Sequence, residues 1–319
     1  MGFLARHRRA IATAVLGSAS LAALIAYSRR EVRRGEAAFP PAGRFVELAD
    51  GTRVHVVEDG EGPPVIAIHG ADGVALSFTE TVMADVAGTH RLIVFDRPGH
   101  GWSALPEGAE ADVATNVAVI REALGSLGVE RPIVVGHSYG GLVALTWALE
   151  HPAEVRALVL LAPVAAFPWP APAWVLRVAD LPVLGTLLTD ALVVPVGRAV
   201  VGPLDRRAFL PHAVPALYTA YSRAMYLRPA QFRALAAEYA NLPSDVRAIS
   251  SRLGELAMPV EIVAAEGDRV TRLADHARPL AEAVPGARLT SLPDAGHEFM
   301  WARPDAIADA VRRAEERSG

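Results

Sequence analysis

Three residues of this chain could together do covalent chemistry: Ser138, Asp268 and His297. Ser138 lies in the run Val134-Val135-Gly136-His137-Ser138-Tyr139-Gly140-Gly141, where an apolar β-branched stretch meets Gly-x-Ser-x-Gly. A helix-compatible stretch, 142–150, follows at once. The flanking glycines let the backbone turn sharply from strand into helix and hold the serine Oγ out at the tip of a sheet. The helix start behind it offers free backbone N–H groups to a developing negative charge. A serine hydroxyl is a weak nucleophile at neutral pH; it needs a base, and the base needs an orienting acid. An elbow of this kind calls for the acid and then a histidine further along the chain. Residues 260–265 read as a buried strand ending in Glu266-Gly267-Asp268-Arg269, with Asp268 just past the strand. Residues 288–292 read as the next strand, followed by Pro293-Asp294-Ala295-Gly296-His297. Ligands of open parallel sheets bind beyond the carboxyl ends of the strands, and all three residues are expected at that edge. Asp294 and Glu266 compete with Asp268 for the role of acid.

Other motifs stand at matching places. His69-Gly70 follows an apolar run at 65–68, and Asp96-Arg97-Pro98-Gly99-His100-Gly101-Trp102-Ser103 follows one at 92–95. With the elbow, the Gly267-Asp268 turn and the Gly296-His297 turn, these resemble the α/β-hydrolase superfamily, in its cap-bearing serine hydrolase branch of esterase, lipase and haloperoxidase-like enzymes. The resemblance implies an α/β-hydrolase fold: a mostly parallel eight-stranded sheet with helices on both faces and a helical cap insertion. It makes Ser138 the nucleophile, His297 the base and Asp268 the acid. Some relatives place the acid after the strand before the cap, but here that strand ends Leu160-Leu161-Ala162-Pro163-Val164, without a carboxylate. The oxyanion would be held by the backbone N–H of Tyr139, next after the nucleophile, and by one from the loop after the third strand. By resemblance that second donor is Ala71, with Asp72 and Gly73 open beside it.

The elements that must position these groups follow a strand–helix rhythm. Residues 45–48 and 54–57 flank Asp50-Gly51 and read as an opening antiparallel hairpin. Buried strands are expected at 65–68, 92–95, 133–135, 155–161 and 260–265, with helical stretches between most of them, as in right-handed βαβ units. The stretch 113–127, apolar at Val113, Val117, Ile120, Leu124 and Leu127, is one such helix. Between Ala162 and Met258 the rhythm breaks. A Pro-rich aromatic connector, Phe167-Pro168-Trp169-Pro170-Ala171-Pro172-Ala173-Trp174, leads into helical patterns with more apolar residues than one face needs. The expected organisation is an anchor and linker at 1–43, a catalytic core at 44–163 and 252–319, and a cap at 164–251. Most of the apolar cap residues are expected to be cap core and a minority to line the substrate pocket.

Composition narrows the rest. The chain has 319 residues, long enough for one large domain with an insertion, and 52% of them are hydrophobic. A formal charge of −4 gives no basic field to draw nucleic acid. With no cysteine there are no disulfides or thiolate metal sites. No Gly-rich phosphate loop and no metal-spaced His/Asp/Glu cluster stands out, so no cofactor and no metal is expected. Asp96, Arg97, His100, His69 and His137 read as residues that brace the loops at the sheet edge. At the N-terminus, Arg6, Arg8 and Arg9 precede an uncharged run from 10 to 27, and Arg29, Arg30, Arg33 and Arg34 follow it. That length is at the lower limit for crossing a bilayer. The expectation is an N-terminal membrane anchor on a side the arginines do not fix, with a cleaved signal and a secreted or periplasmic protein as the alternative.

The chemistry expected is hydrolysis of a hydrophobic carboxylic ester, or a related acyl substrate, through an acyl-enzyme. Epoxide opening and halide displacement are disfavoured, because relatives that do them carry a carboxylate at the elbow. C–C bond hydrolysis of diketones and perhydrolysis remain as alternatives on the same triad. A non-catalytic, membrane-tethered binding protein is the alternative of another class. The oligomeric state is left open.

Overall fold

A computed structural model of the chain describes residues 2–165, 179, 181 and 183–319, with the backbone alone for residues 2–15. The expected Pro-rich connector at 167–174 lies outside the described residues. The strands are β1 (Arg44–Glu47), β2 (Arg53–Asp59), β3 (Pro64–Ile68), β4 (Arg91–Phe95), β5 (Ile133–His137), β6 (Ala157–Leu161), β7 (Val260–Ala265) and β8 (Arg288–Leu292). The helices are α1 (Gly2–Ala38), α2 (Leu76–Thr79), α3 (Met83–Ala87), α4 (Val113–Ser126), α5 (Tyr139–Glu150), α6 (Leu184–Phe209), α7 (Ala216–Tyr221), α8 (Pro229–Ser250), α9 (Ala277–Ala283) and α10 (Pro304–Arg317).

The strands form one eight-stranded sheet in the order β1-β2-β4-β3-β5-β6-β7-β8. β1 and β2 are antiparallel to their neighbours, and β4, β3, β5, β6, β7 and β8 are mutually parallel. The hairpin and parallel strands expected from the sequence are therefore present. Strand side chains alternate between the two faces. Ile66, Ile68, Val134, Leu158 and Leu160 join one core with α4, α5 and the end of α8. Val65, Ala67, Ile133, Val135, Val159 and Leu161 join the other with α3 and α10. Because both faces are covered, the central strands are continuous apolar runs. α5 is buried along all but its last residue, which fixes its N-terminus against the carboxyl end of β5.

Between β6 and β7 the described residues form a helical cap built from α6, α7 and α8. A cluster of Phe209, Tyr218, Tyr221, Tyr226 and Trp301 fastens the cap to the loop after β8, with Phe209 and Tyr218 rings 4.6 Å apart.

The N-terminal expectation needs correction. Among the described residues, the one helix long and apolar enough to cross a membrane is α6, in the cap, not an N-terminal one. α1 runs unbroken through the arginines to Ala38, and its second half packs on the cap. Glu31 pairs with Arg198 at 2.5 Å and Glu36 with Arg228 at 3.3 Å. Ser28 is buried, and Gly35 lies so close to Ala224 that a Cβ there would meet its carbonyl oxygen at 2.9 Å. The stretch read as anchor exit and linker is thus part of the folded body. The N-terminal membrane partner, and the localisation read from that segment, whether anchored or released by cleavage, are withdrawn with it.

Candidate active site

Ser138 joins β5 to α5 with φ 54° and ψ −116°. L-residues rarely adopt this conformation, which costs about 1–3 kcal/mol. The surroundings hold it. The Ser138 N–H donates to Leu161 O at 2.9 Å, and its carbonyl accepts from Gly141 N and Val164 N, each at 3.0 Å. A Cβ at Gly140 would come 2.2 Å from Ile68 O, and one at Gly136 2.4 Å from Gly140 O, so only glycine lets the turn close. Replacing Ser138 by glycine should therefore remove the strain and raise stability by about 1 kcal/mol, after allowing for the greater freedom of an unfolded glycine. Denaturant unfolding checks this; a Ser138→Gly protein less stable than the parent would contradict it.

Asp268 and His297 stand at the neighbouring strand ends, after β7 and β8. Their side chains meet at 2.8 Å, Nδ1 to Oδ2. Asp268 Oδ1 accepts from the N–H groups of Val270 and Thr271, at 2.7 and 3.0 Å. Burial works to raise the Asp268 carboxyl, but the His297 charge and hydrogen bond, with those of Val270 and Thr271, outweigh it and hold it low. Burial works to lower the His297 imidazole, and here the Asp268 carboxylate prevails and lifts it above its ordinary 6.5. The competing acids lie outside. Glu266 and Asp294 are exposed, and Glu266 accepts from Ser291 Oγ at 2.5 Å.

Ser138 and His297 line one cavity of about 290 Å³, together with Ala71, Asp72 and Asp205. Tyr139 is the first residue of α5, so its N–H has no acceptor within the helix. Of the loop amides, Gly73 N–H donates to Gly70 O at 3.1 Å. Ala71 N–H has no acceptor among the described residues. The loop is shaped from beneath by Arg97, which donates to the carbonyls of His69, Gly70 and Ala71 at 3.1, 3.0 and 2.9 Å. Arg97 pairs in turn with Glu238 of α8, and both are fully buried.

The motif around Asp96 braces the adjoining turns. Its carboxylate accepts from Ala75 N at 2.6 Å and Trp102 N at 2.8 Å, and meets His55 Nδ1 at 2.7 Å. His69 is occupied on both nitrogens, with Nδ1 at 2.8 Å from Gly70 O and Nε2 accepting from Arg97 N at 3.0 Å. Burial, then Arg97, push it well below its usual value. Burial and the nearby His297 push His137 down to about 3. His137, His297 and Glu298 bring potential metal-ligand atoms within 4.8 Å. His137 Nε2 lies 3.3 Å from the His297 carbonyl oxygen, however, and as a neutral imidazole it presents a proton there, not a lone pair.

Several residues at the site escaped the sequence reading. Thr271 Oγ1 sits between Asp268 Oδ2 at 3.0 Å, Ala162 O at 2.9 Å and His297 Nδ1 at 3.2 Å, so it fixes both members of the pair. The Asp-x-x-Thr spacing, an acid capping amides two and three residues on, was its available signal. Asp72, Asp205 and Glu298 also face the cavity. A second, apolar cavity of about 430 Å³ runs along α6 and shares Asp72, Leu204 and Asp205 with the first.

Comparison with known proteins agrees with this architecture. A family model described as alpha/beta hydrolase fold matches residues 63–304. The chain is 36% identical over 121 residues to 2-hydroxy-6-oxo-2,4-heptadienoate hydrolase of Pseudomonas putida, covering 37% of this chain and 44% of that protein. It therefore spans less than half the length of that curated relative. It is 27% identical over 292 residues to haloalkane dehalogenase 2 of Mycobacterium tuberculosis, covering 86% and 94%. Among solved structures, an alpha/beta hydrolase fold protein from Burkholderia ambifaria matches with a TM-score of 0.70 and 26% identity, over 85% of this chain and 99% of that one.

Proposed function

The chain belongs to the alpha/beta-hydrolase fold family and is an enzyme of that fold; on that premise we propose that it is a serine hydrolase attacking the carbonyl carbon of an apolar substrate. The observation that carries this reading is a strained serine at a strand-to-helix elbow that shares one cavity with a buried His297–Asp268 pair. In this reading Ser138 Oγ adds to the carbonyl carbon while His297 Nε2 takes its proton. Asp268 keeps the imidazole in the Nδ1–H tautomer and stabilises the cation. The N–H groups of Tyr139 and Ala71 hold the oxyanion, a contribution of about 3 kcal/mol per donor. The protonated imidazole then gives its proton to the departing alkoxide, leaving an acyl-enzyme. Water, activated by the same imidazole, adds to that acyl group, and Ser138 departs with the proton. The apolar cavity along α6 suits the hydrophobic part of the substrate. The elbow carries no carboxylate, which argues against displacement of halide despite the dehalogenase relative.

A second reading concerns which bond breaks. The same attack on a ketone, with a stabilised carbanion leaving and taking the proton from His297, would cleave a C–C bond. The likeness to the heptadienoate hydrolase favours it. A fluorophosphonate should label Ser138 under either reading. No label on the folded protein, with entry of the reagent shown by competition, would refute both. Product analysis on matched ester and 1,3-diketone substrates separates them.

The pH profile gives a further check. The base must be neutral, and the Asp268 carboxylate raises His297, so kcat/KM should fall as pH drops through a value above the ordinary histidine range. Asp268→Asn removes that charge and leaves burial opposed only by the weaker pull of Glu298 and Asp72, so the acid limb should move to lower pH while kcat falls. An acid limb unmoved in Asp268→Asn would show that another group titrates.

A further inference from the structure

Three carboxyl groups from separate elements face the cavity beside Ser138: Asp72 in the loop after β3, Asp205 on α6, and Glu298 next after His297. We propose that this cavity selects by charge, taking neutral or ammonium-bearing molecules with an apolar tail and rejecting those with a carboxylate near the scissile carbonyl. The proposal deepens the serine hydrolase reading, which supplies the position of the scissile bond.

Glu298 is the strongest sign. It is 9% exposed, lines the cavity, and its carboxyl accepts no hydrogen bond among the described residues. An acid so buried and unpartnered is costly unless something that enters the cavity complements it. Asp205 is 5% exposed and accepts one bond, from Ser222 Oγ at 2.9 Å. Asp72 is exposed and lines both cavities. The groups sense one another. Burial first, and then Asp72, Asp268 and Asp205, push Glu298 up to about 8 against the pull of His297; burial and Asp72 push Asp205 up to about 6 against the hydrogen bond from Ser222. The cationic groups near them are already engaged or peripheral. His297 is paired with Asp268, and the exposed Arg207 donates to Arg269 O at 2.8 Å. Arg206 and Arg223, which also act on Asp205, are exposed.

Asp72, Asp205 and Leu204 border both this cavity and the apolar one along α6. An extended ligand with its tail in the apolar cavity must therefore pass an acidic neck to reach Ser138. A ligand carboxylate there would add a fourth acid to three that already resist ionisation, whereas an ammonium group would favour their charged forms.

The test is calorimetric binding at pH 7 of three ten-carbon compounds, below their aggregation limits, to the full chain: decyltrimethylammonium, decanol and decanoate. Decyltrimethylammonium should bind at least about tenfold more tightly than decanoate, with decanol between. Glu298→Gln and Asp205→Asn should each narrow that gap, and if one fails to fold the other serves. Decanoate binding as tightly as the cation would overturn the proposal. So would a gap unchanged in the folded variants, or no binding by any of the three. Because no bond is broken, the result is independent of Ser138 chemistry, which labelling by a neutral fluorophosphonate reports separately.

Discussion

Ser138→Ala is expected to stay folded and to lose at least about 10⁴-fold in kcat on any substrate the parent turns over. The size follows from what is removed. The substitution deletes one oxygen and leaves the backbone pinned, because the bonds to Leu161, Gly141 and Val164 use main-chain atoms. The other hydroxyls nearby are poor substitutes. Burial pushes the Tyr218 and Tyr239 phenols far above their usual range, and Thr271 is committed to Asp268 and Ala162. Any activity left would come from substrate positioning and the oxyanion donors, which act without the nucleophile. The variant also separates an enzyme from a binding protein on the same fold. Near-parental turnover by folded Ser138→Ala would remove the serine from the mechanism. Turnover lost with ligand binding retained is what an acyl-enzyme mechanism requires. Ser138→Gly should lose turnover to the same degree while gaining stability, so the two variants distinguish a missing hydroxyl from a disturbed turn.

The strands and the elbow were legible because their signals are local. A run such as Ile133 to Val135 is apolar and β-branched, and the glycines after it admit a tight turn; Ser138 in that turn has a φ of 54°. Asp268 and Glu266 both lie past the end of β7, and it is burial, a property of the folded chain, that sets them apart: Asp268 is buried and Glu266 exposed. The acidic neck was not legible. Asp72, Asp205 and Glu298 lie in a loop, a cap helix and a turn, and only the tertiary fold brings them together. The N-terminal segment misled for a different reason. Its arginines were read as ending an apolar span, yet Arg and Glu are good helix formers, and Glu31 pairs with Arg34 one turn on, so α1 continues. In the cap, Leu192, Val196, Val200 and Leu204 of α6 are exposed, four residues apart, along the apolar cavity.

Arg97→Met should destabilise the protein by about 3–5 kcal/mol, because it strands the fully buried Glu238 without its counter-charge. Burial raises the Glu238 carboxyl, and Arg97, with Asn116, is what opposes that. The loss would reach the site as well. Arg97 holds three consecutive carbonyls, those of His69, Gly70 and Ala71, in the loop from which the proposed oxyanion donor Ala71 comes. Stability and positioning can be separated by the double variant Arg97→Met/Glu238→Leu, which removes both charges. Replacing a buried pair with apolar side chains is often neutral or better, so the double variant should regain most of the lost stability in urea unfolding. Its kcat should stay low, because the loop carbonyls still lack their donor. A single variant as stable as the parent would mean that the pair is not dry or not paired. A double variant both stable and fully active would mean that the loop keeps its shape unaided. If stability returns and activity does not, the buried charge serves to aim one backbone N–H, and the cap helix that carries Glu238 is coupled through Arg97 to the reacting carbonyl.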